Sequence, residues 1–153
     1  VRMTTYGDDV LANTSNHVWN INNIIEWFKS NNLKLTNAAK DDVSKDFLDR
    51  SEITFLKRNF VERQGNVFAP LDWRVINKMT QWVRNTGSLS ERTFQNVQAA
   101  KMEMVHFGKR EFDKYQEYVD ELSLHNGVQV KKLYWADIYD RWRSGNLLVY
   151  STD

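Results

Sequence analysis

The only proline in the chain, Pro70, separates two kinds of hydrophobic patterning. Before it, apolar residues come in short runs bounded by Gly, Asn and Asp, which suits brief strands and tight turns. After it they recur at the 3.6-residue period of amphipathic helices. This division predicts an α+β chain, mixed over residues 1–70 and all-helical over 71–153. At 153 residues with 41% hydrophobic content, the chain is long enough to bury a core.

The early segment is specific. Arg2-Met3-Thr4-Thr5-Tyr6 and Val10-Leu11-Ala12 favour strands, and Gly7-Asp8-Asp9 between them suits a hairpin turn, because glycine accepts positive φ without steric cost. A helix should follow, capped by Ser15 or Asn16, with Val18, Ile21, Ile24, Ile25 and Phe28 on one face and Asn31-Asn32 at its end. Leu33-Lys34-Leu35-Thr36 alternates as a short strand would, and residues 37–50 read as loop. From Glu52, Ile53 to Leu56, Asn59 to Arg63 and Val67 to Ala69 suggest further strands, with a turn at Gln64-Gly65-Asn66.

Beyond Pro70 four helices are expected. The first is capped by Asp72 and carries Val75, Ile76, Met79, Trp82 and Val83. The second starts at a capping box, Ser88-Leu89-Ser90-Glu91, and carries Phe94, Val97, Ala100 and Met104. The third follows Gly108 with Phe112, Tyr115, Val119 and Leu122, and the last carries Trp135, Ile138, Tyr139 and Trp142. Their spacing assigns Trp82, Tyr115 and Trp142 to core packing rather than to stacking on bases.

Composition removes several kinds of chemistry. With no cysteine there is no disulfide framework, thiol nucleophile or Cys-ligated zinc, and His17, His106 and His125 are too scattered to form a metal cluster. No apolar run approaches the roughly 18 residues of a transmembrane helix. The net charge of +1 conceals a basic middle: residues 51–100 hold seven Lys/Arg against four Asp/Glu. That excess is compatible with phosphate contacts.

Tyr6-Gly7-Asp8-Asp9 is the strongest chemical signal. Successive carboxylates on a regular strand point to opposite faces, whereas a tight turn can direct both to one site. Mg²⁺ takes such carboxylates together with phosphate oxygens and waters. The same residues would also make an ordinary solvated turn.

These residues resemble motif C of viral RNA-dependent RNA polymerases. In the same order, the segment from Leu33 to Lys40 resembles motif D, and Phe55-Leu56-Lys57-Arg58 resembles motif E of the picornavirus-like branch. Trp82, the segment from Gly108 to Tyr115 and Tyr139-Asp140-Arg141-Trp142 resemble the thumb. The likeness covers nearly the whole chain. It implies the C-terminal part of a right-hand polymerase, with palm hairpins and one packed helix over 1–70 and a helical thumb over 71–153. The first metal-binding aspartate, the ribose-reading residues and the basic fingers would lie in upstream parts, so this segment alone is expected to be inactive.

The resemblance further implies that Asp8 and Asp9 bind two catalytic Mg²⁺ ions, or Mn²⁺, with Asp8 the more direct ligand. Lys40 would act on the departing pyrophosphate, although Asp41 and Asp42 beside it favour its charged form. Phe55, Leu56, Lys57 and Arg58 would belong to a hairpin at the palm–thumb junction that grips the primer, alternating along a strand so that Phe55 and Lys57 face one way and Leu56 and Arg58 the other. The implied partners are RNA template and primer, nucleoside triphosphates and the rest of the polymerase, at replication complexes in the host cytoplasm. A non-catalytic RNA-binding or structural module is the alternative. A reverse transcriptase would share the paired-aspartate turn but not the motif E residues.

Overall fold

The computed structural model describes residues 1–37, 45–83 and 87–145. The chain divides into two compact units, Val1–Phe60 and Val61–Asp153.

The first unit opens with an antiparallel hairpin, β1 (Arg2–Tyr6) and β2 (Asp9–Asn13), in which Tyr6 faces Asp9 and Arg2 faces Asn13. Helix α1 (Ile21–Ser30) follows. Its N-cap is Asn20, whose side chain accepts from Asn23 N at 2.9 Å, and not Ser15 or Asn16. Thr14 and Asn16 are used up in a local turn, accepting from the backbone N–H groups of Asn16 and Val18 at 3.0 Å. Of the expected stripe, Ile21, Ile24, Ile25 and Phe28 lie half-buried on α1, whereas Val18 precedes the helix and is exposed. Asn31 and Asn32 end the helix, with Asn32 at φ 57°. Leu33 to Thr36 form no strand: their alternation finds no ladder partner among the described residues. A 3₁₀ turn (Arg50–Glu52) leads into a second hairpin, β3 (Thr54–Phe55) and β4 (Arg58–Asn59). Asp46 ties this stretch to α1, accepting from Ile21 N at 3.3 Å and Asn22 Nδ2 at 2.6 Å.

No described residue of the first unit is buried. A two-stranded hairpin is marginal in water without a face to pack against.

The second unit holds the core. It starts with a third hairpin, β5 (Val61–Arg63) and β6 (Asn66–Phe68), and continues through α2 (Trp73–Gln81), α3 (Leu89–Glu103), a 3₁₀ turn (Met104–Phe107), α4 (Lys109–His125) and α5 (Trp135–Arg143). The hairpin groups with the helices because Phe68 stacks on Tyr139 at 5.8 Å and meets His106 edge-on at 5.7 Å, while Arg63 donates to the His106 carbonyl at 2.9 Å. Ile76, Val97, Ala100, Met104, Val105, Phe112, Tyr115, Val119 and Ile138 form the centre, and Trp135, Tyr139 and Trp142 pack on it. Burying one large aliphatic or aromatic side chain contributes about 1.5–3 kcal/mol.

Two of the core residues expected in this unit lie elsewhere. Trp82 is 78% exposed, because α2 stops at Gln81 and the backbone turns extended, so the helical stripe ends before reaching it. Leu122 is exposed because the buried face of α4 runs through Phe112, Gln116, Val119 and Ser123, and Leu122 lies off that face.

Polar clamps hold the extended segment after α4. Lys101, fully buried, donates to Asp120 Oδ1 at 2.7 Å and to the Lys131 carbonyl at 2.6 Å. Gln98 adds a bond to the same carbonyl, and Gln116 both donates to and accepts from the Leu133 backbone. Burial pushes the Lys101 ammonium below its ordinary range, more strongly than Asp120 pulls it up. The folded chain therefore binds this proton less tightly than the unfolded chain, so the Lys101 contribution to stability rises with pH towards 10.5. Tyr115 acts oppositely: burial raises its pKa, so its contribution is complete below about 10 and is lost as pH rises through the folded value. Comparing the protein with Lys101→Met cancels the Tyr115 effect. In urea unfolding, stability relative to that variant should increase as pH rises towards 10.5; a pH-independent difference would contradict an ammonium held below its ordinary range.

Candidate functional site

The two carboxylates sit at the tip of the first hairpin. Tyr6 and Asp9 close the turn, with Gly7 and Asp8 as its central residues. Gly7 has φ 61°, and a Cβ placed on it would meet nothing within 4 Å. The requirement at this position is thus backbone conformation rather than space. Asp8 and Asp9 are both exposed. Consecutive carboxylates on a turn have the oxygen chemistry Mg²⁺ requires, but a cluster of three or more potential ligands is absent among the described residues. Their chemistry fits a divalent ion, which would need further ligands from elsewhere.

The motif E residues are placed differently from the sequence expectation. Phe55 and Arg58 pair directly across β3 and β4, and Leu56 and Lys57 are the two residues of the turn. Both have positive φ, 52° and 63°, so the four do not alternate along a strand. A two-residue hairpin turn needs this left-handed backbone to match strand twist, and Asn-Gly is its usual sequence. Leu and Lys in its place cost roughly 1–2 kcal/mol each. The geometry separates the basic side chains: Lys57 is exposed at the tip, whereas Arg58 is half-buried.

Lys40, with Asp41 and Asp42, lies outside the described residues. Near the preceding segment, a cavity of about 360 Å³ is lined by Ile25, Lys29, Asn32, Leu33, Lys34 and Leu35. It includes neither aspartate of the turn. No helix among the described residues is long and apolar enough to cross a membrane.

The viral RNA-dependent RNA polymerase family matches residues 1–123. The chain belongs to that family. Its relatives are replicases of the picornavirus-like type: it is 34% identical over 129 residues to the replicase polyprotein of Cricket paralysis virus and 33% identical over 136 residues to that of Drosophila C virus. Each match covers 81% of this chain and 7% of the polyprotein. The solved Sicinivirus 3Dpol RNA-dependent RNA polymerase superposes with a TM-score of 0.67 over 94% of this chain and 30% of that one, at 19% identity. The α+β arrangement of small antiparallel hairpins and helices is therefore a polymerase fold.

The positive φ angles give a direct test of the second hairpin. Lys57→Gly should give a net gain of about 1 kcal/mol, the relieved strain less the greater entropy glycine loses on ordering, raising amide-exchange protection across Thr54 to Asn59 roughly fivefold. Unchanged or lower protection would show that the turn is not strained at Lys57.

Proposed function

We propose that the chain forms part of a polymerase that copies a viral RNA genome by two-metal nucleotidyl transfer. Residues 1–70 would complete the palm and residues 71–153 would form the thumb. The paired carboxylates on a tight hairpin turn, in a member of this family, carry the reading. Bound Mg²⁺ would stabilise both the attacking 3′ oxygen and the departing pyrophosphate. The task of Asp8 and Asp9 is to hold that charge at a fixed position. A two-residue turn suits it because it offers few alternative backbone conformations.

Lys57, exposed at the motif E tip, is the cation proposed to meet a primer phosphate, with Phe55 and Arg58 supporting the turn from the strands. Lys40 is proposed to sit beside the leaving pyrophosphate, where a cation stabilises developing negative charge. RNA template, primer and nucleoside triphosphates are the proposed partners, and the host cytoplasm the proposed place of action. The absence of any buried residue among those described in Val1–Phe60 supports a further reading: other polymerase segments cover that unit, and the 153 residues alone do not synthesise RNA.

The test is Asp8→Asn in the full-length parent polymerase. Primer extension with Mg²⁺ should fall by at least about a thousandfold, the scale of losing a major source of transition-state charge stabilisation. Substantial synthesis by that variant would sink the assignment of Asp8.

A further inference from the structure

Helix α2 has an outward face with a consistent chemistry. Ile76, Met79 and Thr80 turn inward, and directly opposite them Arg74, Lys78 and Gln81 recur at i, i+4 and i+7. All three are exposed and all are hydrogen-bond donors. The helix, Trp-Arg-Val-Ile-Asn-Lys-Met-Thr-Gln, contains no acidic residue. Asp72 at its start is committed to the backbone, accepting from Arg74 N at 2.7 Å.

Ion pairing distinguishes this face from the charged face of α4 and from Arg143 on α5, although Arg141, Lys131 and Lys132 are also without an ion pair among the described residues. On α4, Lys109 pairs with Asp113 and Lys114 with Glu111, and on α5 Arg143 pairs with Asp140. No carboxylate among the described residues lies within ion-pair distance of Arg74 or Lys78. Two unneutralised cations about 6 Å apart along one helix axis make a short positive track. A polyanion is its complementary partner, and no aliphatic side chain shares the stripe to enter a lipid surface.

We infer that Arg74, Lys78 and Gln81 form a contact track for the sugar-phosphate backbone of RNA, separate from the motif E turn. This rests on the polymerase reading for the choice of RNA over other polyanions. The track reads no sequence: two point contacts to phosphate fix register and add affinity, with Gln81 able to donate to a phosphate or ribose oxygen.

Binding of a labelled single-stranded RNA to the full 153-residue chain, measured by anisotropy across a potassium chloride series, tests it. Arg74→Gln with Lys78→Gln should flatten the slope of log affinity against log salt by about 1.4, or about 0.7 for each lost phosphate contact. The low-salt affinity should fall roughly tenfold, equally for unrelated sequences. Arg74→Lys with Lys78→Arg, which keeps both charges, should retain the slope and so separates charge loss from misfolding. Lys109→Gln with Lys114→Gln removes the same formal charge from paired positions and should leave the slope nearly unchanged.

An unaltered slope in the Arg74/Lys78 double glutamine variant would overturn the track, as would an equal loss in the Lys109/Lys114 variant. Selective binding to phosphatidylserine vesicles in place of RNA would overturn it too. Failure of the unsubstituted chain to bind RNA would end the proposal without touching the polymerase reading, which Asp8→Asn tests in the parent.

Discussion

A two-residue hairpin turn must bend the backbone into the left-handed region, and this constraint recurs at all three sheets described. Gly7 meets it at the first tip, Leu56 and Lys57 at the second, and Gln64 and Gly65, at φ 50° and 76°, at the third. The groups proposed to act on metal and primer lie at the first two tips, where a short turn projects side chains beyond the sheet while fixing the backbone beneath them. Glycine solves the geometry cheaply where Asp8 and Asp9 are carried. The second tip spends conformational strain to place a leucine and a lysine where asparagine and glycine would be easier.

The two units meet the demands of folding differently. All the buried residues described belong to Val61–Asp153, where apolar helix faces and aromatic contacts at Phe68, His106, Tyr139 and Trp142 enclose a core. Lys101, Gln98 and Gln116 add polar clamps that define the path after α4 at the cost of desolvating an ammonium group. The first unit has hairpins and a half-buried helix but no interior of its own among the described residues. This difference matches the small share of each relative that the chain spans: 7% of the insect-virus polyproteins and 30% of the solved polymerase.

Much of this was readable from the residues. Gly7 between two strand-forming runs gave the first hairpin, and periodic apolar stripes gave the four helices after Pro70, with Asp72 and Ser88 as caps. The errors have physical causes. Asn20 and the upstream Ser15 and Asn16 have similar capping chemistry, and only the local turn decides among them. Residues 33–36 alternate, but a strand also requires a partner. The motif E hairpin was expected, but Leu56 and Lys57 carry no sequence mark of positive φ, so its four residues read as alternating along a strand when the middle two form the turn. Lys101 gives no warning that it is buried, since its clamp depends on a carbonyl 30 residues away. The α2 track had a signal that sequence reading passed over, two cations and no acid on one helix face.

The most direct test of the account is crystallographic. In the full-length parent polymerase bound to RNA, a nucleoside triphosphate analogue and Mn²⁺, anomalous diffraction should place an ion in coordinating contact with the Asp8 carboxylate at the hairpin tip. An ordered, RNA-bound active site with manganese ligated entirely by other residues, and the Asp8 and Asp9 carboxylates left in solvent, would contradict it.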